Sequence, residues 1–260
     1  MILSYANPKI GSDYLIYNLM NCNTLNAHER DSYINFEPNE HIYSIEDQQY
    51  TSVTSFINQF FPKFDSEKWA NIKARQLGTT PEALLEEWRI KGGKASQMGT
   101  LLHHNIDQHL QGLPHGTEDA FSLFLKFKVE HPRMLPFRTE WAVFDEDSKI
   151  AGTIDLLESH GGCYDMYDWK CSTKLIGKNN KVLRESFMRE TGFAPIQHLD
   201  NTSYYHYALQ QSLYRYIVEK NYNIQLRSCN LVVLHPSYPN YFVIQLPYLY
   251  REIVAMLAGR

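Results

Sequence analysis

FRTEWAVFDEDSKIAGTIDLLESHGGCYDMYDWKCS, residues 137–172, is the stretch on which the fold turns. Its three pieces, FRTEWAVFD, KIAGTIDLLE and CYDMYDWKCS, are separated by polar or glycine turns at Asp145–Ser148 and Ser159–Gly162, the pattern of three consecutive strands in a meander. Successive side chains along a strand point to opposite faces, so Asp168 and Lys170 share a face, roughly 6.6 Å apart along the backbone. Asp165 and the Trp169 ring point the other way. Asp155, on the preceding strand, can lie beside Asp168. A charge inside an apolar strand such as AGTIDLLE is costly unless something pairs with it. Two carboxylates on adjacent strands, aimed at one point, make a hard oxygen site suited to Mg²⁺ or Mn²⁺. The neighbouring lysine puts a cation where a water must be deprotonated or a phosphate neutralised.

Upstream, ASQMGTLLHHNIDQHLQG (95–112) has Met98, Leu101, Leu102, Ile106 and Leu110 on one helical face and Gly112 as its stop; it carries His103 and Asp107. Before it, INFEPNEHIYSIEDQQYTSV (34–53) alternates around Pro38-Asn39 and reads as an antiparallel hairpin packed beside the core. Helices follow from Ser52 to Phe60, from a Ser66 cap to Gly78, and from Thr80-Pro81 to a break at Gly92-Gly93. Downstream come a helix from Ser203 to Lys220, a strand CNLVVLH, an edge strand YFVIQL and a last helix from Tyr248 to Ala258. The order helix, three strands, helix, strand describes an α/β layered domain.

A net charge of −4 gives no overall positive field, so any nucleic-acid surface must be local. The one basic run is Lys170, Lys174, Lys178, Lys181 and Arg184, which either holds phosphates or is a solvated loop. Cys22, Cys163, Cys171 and Cys229 form no C-x-x-C pair, so cysteine spacing signals neither zinc nor a disulfide framework and fits a reducing compartment. Met1–Met20 has no long apolar run and carries Lys9 and Asp13; a soluble, intracellular, cytoplasmic protein without a membrane span is expected.

Four short patterns fall in order: G-T-x-x-H at Gly99, Thr100 and His103, G-x-x-D at Gly152–Asp155, D-W-K at Asp168–Lys170, and Q-x-x-x-Y at Gln210 and Tyr214. Each is weak alone; their order on the expected elements is a strong signal. Together they resemble the RecB-like branch of the PD-(D/E)XK nucleases, which includes CRISPR-associated adaptation exonucleases and the mitochondrial genome maintenance exonuclease, over about residues 95–235. SVTSFINQFFPKF (52–64) is similar to the segment preceding the core in some phage and mitochondrial relatives.

The resemblance implies a restriction-endonuclease-like core, α-β-β-β-α-β with a mixed sheet flanked by helices, over 95–260, after an N-terminal hairpin and helical cap over 1–94. It implies His103, Asp155, Asp168 and the Trp169 backbone carbonyl as metal ligands and Lys170 as the group assisting the attacking water. Thr100, Gln210 and Tyr214 would border the site and the nucleic acid; for Gln210 and Tyr214, which share a helix face, the alternative is packing against the sheet. Asp107 either fixes the His103 tautomer or is a solvated helix acid. Glu140 matches an acid that some relatives carry on the first strand, or is a surface residue. Lys174, Lys178 and Lys181 are the candidate phosphate contacts. The cysteine clusters that hold an iron–sulfur centre in some members are absent, so no such cluster is expected.

The implied activity is Mg²⁺- or Mn²⁺-dependent hydrolysis of DNA in repair, recombination or replication. Water attacks in line and leaves 5′-phosphate and 3′-hydroxyl ends. An exonuclease preferring single-stranded or end-exposed DNA is expected from the helices of residues 53–94 lying over the site. The alternatives are a structure-specific or defence endonuclease with the same site and a catalytically idle DNA-binding subunit.

Overall fold

The computed structural model describes residues 21–38 and 40–260; the readings of Met1–Met20 and of Asn39 in the first turn lie outside them. A one-turn helix, α1 (Cys22–Leu25), precedes β1 (Ile34–Glu37), β2 (Ile42–Ile45) and β3 (Gln48–Ser52), which pair antiparallel. The expected hairpin thus has a third strand. Glu46 and Asp47 both take positive φ, the backbone of a tight two-residue loop whose twist matches the flanking strands. Nor does this ribbon merely pack beside the core: Thr51 and Ser52 pair in parallel with Ile150 and Ala151 of the central strand.

Ser52 Oγ accepts from the Ser55 N–H at 3.1 Å and opens α2 (Val53–Asn58). Asp65, rather than Ser66, caps α3 (Ser66–Leu77), accepting from the Lys68 N–H at 2.9 Å, and left-handed Gly78 ends it. Thr80 caps α4 (Pro81–Leu110), which runs unbroken through Gly92 and Gly93. The expected break is therefore absent. Neither glycine has a positive φ or a neighbour where a Cβ would stand, so each costs only its propensity, roughly 1 kcal/mol against alanine, while burial of Leu84, Leu102 and Ile106 anchors the helix on both sides. An element not anticipated from sequence, α5 (Asp119–Glu130), buries Ala120, Phe121, Leu123, Phe124 and Phe127.

The meander is present as β4 (Pro136–Asp145), β5 (Ile150–His160) and β6 (Cys163–Lys170). The chain then passes through α6 (Ser203–Asn221) to β7 (Leu226–Val233), parallel to β6, and through β8 (Phe242–Gln245) to α7 (Tyr250–Leu257). The eight-stranded mixed sheet runs β1-β2-β3-β5-β6-β7-β8, with β4 on the other side of β5. Alternation along the strands fills two cores. Leu231 and Val233 face α6 with Leu209, Leu213 and Ile217. Trp169 and Val232 face α4 and α5 with Leu102, Ile106, Phe121, Phe124 and Phe127. The fold is α/β, a mixed sheet flanked by helices, in the order read from sequence. Among the described residues no helix is long and apolar enough to cross a membrane.

The free edge of β4 is closed by asparagines of the first segment. Asn23 Nδ2 donates to the Thr139 carbonyl and its Oδ1 accepts from the Thr139 N–H at 2.9 Å, while Asn26 Nδ2 donates to the Phe137 carbonyl. Side-chain amides thus stand in for a neighbouring strand and leave the edge less open to pairing with another chain.

Candidate metal centre

Three strands and one helix converge where β5 leaves β3 and turns to pair with β6. In the β4–β5 ladder Thr139 pairs with Leu156 and Trp141 with Ile154, so Glu140 between them stands opposite Asp155. In the β5–β6 ladder Leu156 pairs with Tyr167, and the next position out on each strand is Asp155 and Asp168. Three carboxylates therefore occupy neighbouring places on three adjacent strands. His103 is brought over them by α4, whose Leu102 and Ile106 are buried on the same turns. Gly152 owes its place in the G-x-x-D pattern to a close approach: a Cβ there would meet the Tyr214 ring at 2.7 Å.

His103 Nδ1 lies 3.4 Å from Asp155 Oδ2 and 3.7 Å from Glu140 Oε1, and Nε2 is 2.7 Å from the Trp169 carbonyl oxygen. The Trp169 N–H donates to Asp155 Oδ2 at 2.8 Å. One ligand atom each from His103, Glu140 and Asp155 lie within 4.8 Å of one another. Asp168, one strand away, is held otherwise: Oδ1 accepts from Gln211 Nε2 at 2.9 Å, and Oδ2 pairs with Lys170 Nζ at 2.5 Å. The ammonium of Lys170 also sits 4.8 Å from the centre of the Tyr207 ring.

The charges of the cluster depend on one another. Burial alone would strip His103 of its proton, yet Asp155 and Glu140 outweigh it and hold the imidazole well above its usual range. Burial raises Glu140, with Asp155 adding to the rise and His103 opposing it. Asp155 is lowered, because His103, Lys170 and the Trp169 N–H overcome its burial. Asp168 is pushed up to about 6, chiefly by burial, with Lys170 pulling it back and Asp155 pushing further. Burial lowers Lys170, but Asp168 and Asp155 more than reverse this and keep it charged. The imidazolium is thus the counter-charge of two carboxylates, Asp155 buried and Glu140 open to solvent. A divalent ion in its place would meet carboxylate oxygens, one imidazole nitrogen and the Trp169 carbonyl, a donor set that fits Mg²⁺ and, through the nitrogen, Mn²⁺.

Of the residues singled out in sequence, His103, Asp155, Asp168, Lys170 and the Trp169 carbonyl are brought together. Thr100 is exposed on α4, and His104 is too. Asp107 accepts from Gln111 Nε2 at 2.5 Å rather than orienting His103. Gln210 reaches Thr54 Oγ1 at 3.3 Å and lines a cleft of about 340 Å³ with Asn58, Ser203, His206 and Tyr207. Tyr214 is buried against Gly152, and burial raises its hydroxyl well above the usual range. Lys174, Lys178 and Lys181 are exposed around a small hairpin closed by the Ile176–Val182 bridge. Sequence reading missed Gln211 and Tyr207 and left Glu140 undecided. A signal existed for Gln211: it is a polar residue in line with Tyr204 and Ala208 on the buried stripe of α6.

No protein-family model matches this chain, and no curated protein does. A crystal structure of a candidate exonuclease from Eubacterium rectale is similar over 81% of this chain and 78% of its own, with a TM-score of 0.38 and 13% sequence identity. At that distance the likeness says nothing about chemistry, which rests on the residues themselves.

Proposed function

We propose that this chain is a metal-dependent nuclease that hydrolyses DNA phosphodiester bonds, acting as an exonuclease on single-stranded or end-exposed DNA. One observation carries the reading: His103, Glu140 and Asp155 converge beside a buried Asp168–Lys170 pair. His103, Glu140, Asp155 and the Trp169 carbonyl would hold the ion, with Asp168 bordering it. Bound there, Mg²⁺ or Mn²⁺ supplies positive charge against the phosphate and acidifies water beside it. Lys170, paired with Asp168, would put a cation toward the phosphate and beside the attacking water. The cleft lined by Gln210 and Tyr207 ends at the ring under Lys170, which supports approach of the strand from that side. The four sequence patterns, by their resemblance to exonucleases, favour an end-dependent enzyme.

The test is incubation with end-labelled linear single-stranded, linear duplex and covalently closed circular DNA in Mg²⁺, Mn²⁺ or chelator. Metal-dependent degradation of linear single strands, ending in 5′-phosphates, is expected. Cleavage of the closed circle would make it an endonuclease; no cleavage of any substrate with metal would remove the nuclease reading.

A further inference from the structure

The other end of the β5–β6 hairpin carries a second group of ligand-type side chains. The strands turn through Gly161 and Gly162, both at positive φ, so that His160 pairs across with Cys163 and Glu158 with Asp165. Residues directly opposite in an antiparallel pair share a face, and residues two apart on a strand do too. Two carboxylates, an imidazole and a thiol therefore stand on one face, in the spacing E-x-H-x-x-C-x-D. His160 Nε2 is 3.2 Å from Glu158 Oε1 and 3.4 Å from Asp165 Oδ2, and one ligand atom from each of the three residues lies within 4.8 Å of the others. Glu158 and Asp165 are 5% and 3% exposed, whereas His160 and Cys163 are open to solvent. Anionic oxygens form the floor and the softer ligands the rim.

Asp165 already has partners: Arg227 bonds both its oxygens and Ser228 Oγ donates to Oδ1 at 2.7 Å. Glu158 differs. Among the described residues its ion-pair contact is His160, with the Tyr167 hydroxyl bonded to it as well, so this buried carboxylate faces an exposed imidazole.

We propose that Glu158, His160 and Asp165, whose ligand atoms converge, form a second metal site for a zinc-class divalent ion, with the exposed Cys163 side chain turning in as the fourth ligand; the site is separate from the candidate metal centre and independent of the nuclease reading. One nitrogen, one thiolate and two carboxylates make a four-coordinate set of the kind zinc takes, and one that Mg²⁺, which favours all-oxygen octahedra, does not. Charge closes as well: two carboxylates and a thiolate against a divalent ion and Arg227 come to neutrality. Binding drives the thiol proton, and any proton on His160, into solvent. Cysteine spacing gave no sign of zinc because a single cysteine takes part, brought in by strand register. Bound metal would clamp the hairpin that carries Asp155 and Asp168 toward the candidate metal centre, and would stabilise the fold by mass action.

The test is Co²⁺ titration of the full chain in an Asp155→Asn background that disables the candidate metal centre, followed by absorbance. About one equivalent should bind with a thiolate-to-cobalt charge-transfer band, displaced by Zn²⁺, and Zn²⁺ should raise the melting temperature. Cys163→Ser should lose the band and His160→Ala should lose both the binding and the thermal shift. Both residues are exposed, so the folded state should survive, which circular dichroism checks. Absence of cobalt binding, or binding and band unchanged in the two folded variants, overturns the proposal; cobalt binding that needs His160 but shows no charge transfer overturns the part given to Cys163.

Discussion

Glu140 sits at φ +43 in the middle of a strand, a left-handed backbone that a non-glycine residue takes at roughly 1–3 kcal/mol. That distortion interrupts the ladder opposite Asp155 and accompanies the approach of its carboxylate to His103. A unit charge about 4 Å from an ion is worth about 4 kcal/mol at an effective dielectric near 20. Glu140→Gln, which keeps the shape and removes the charge, should therefore weaken Mn²⁺ binding more than about tenfold, the equivalent of ~1.4 kcal/mol. Calorimetric titration reads this directly, and an unchanged Kd would return Glu140 to a surface role. At this scale the sequence was legible wherever periodicity alone decides the facing. Asp168 and Lys170 follow from strand alternation, whereas His103 was legible only through the G-T-x-x-H pattern and its order with the two acids. Glu140 was not, because its aim depends on register with β5 and on one unusual φ. Nor was the choice between Gln210 and Gln211, where a shift of about 100° around α6 separates a cleft residue from the partner of Asp168.

Gly92 and Gly93 show how an element outlasts a local signal. Paired glycines are a breaker in isolation, but tertiary burial on either side overrides propensity. Because nothing stands where either Cβ would go, replacing both with alanine should stabilise α4 by up to about 2 kcal/mol. That corresponds to a melting temperature higher by several degrees, at roughly 2–4 °C per kcal/mol for a chain of this class; a lower melting temperature would mean that the glycines serve a bend this structure does not have. The helix α5 is readable from Phe121, Phe124 and Phe127 at helical spacing, but its start lacks the capping side chain that marks α2 to α4. The end of α6 is tied to the β4–β5 turn by Lys220, whose Nζ pairs with Asp145 Oδ1 at 2.6 Å. Burial pushes Asp145 up, but Lys220, Ser148 and Asn221 outweigh it and hold its carboxyl below the usual range. A depressed carboxylate contributes stability above its unfolded pKa and loses it as pH falls through the lower folded value. Lys220→Met should thus cost about 1–3 kcal/mol at pH 7, and the gap from wild type in urea midpoint should shrink in acid, below the ordinary aspartate range. A gap that stays constant down to strongly acidic pH would assign the loss to packing.

Across the whole molecule the chain is anionic, so attraction for a polyanion has to be local. Lys174, Lys178 and Lys181 lie exposed on one small hairpin that follows β6 directly, and Lys174 also lines the groove of about 720 Å³ that continues from the Gln210 cleft past Phe64 and Phe187. Replacing the three lysines with glutamine should weaken single-strand binding and flatten its dependence on log salt by about 0.7 for each phosphate no longer neutralised. An unchanged slope would make them a solvated loop. The order of most elements was legible because alternation and 3.6-residue spacing record burial; α5 went unread, and so did the joining of β3 to β5, since parallel pairing between distant segments leaves no local pattern. The central claim is that the carboxylates beside His103, buried Asp155 first among them, hold a divalent ion that drives DNA cleavage. Its most direct measurement is the Mn²⁺-dependent cleavage rate of linear single-stranded DNA by Asp155→Asn beside wild type, with both shown folded by matching circular dichroism and melting. The account predicts cleavage by wild type that chelator abolishes and none by the variant; a folded Asp155→Asn protein that cuts at the wild-type rate would contradict it.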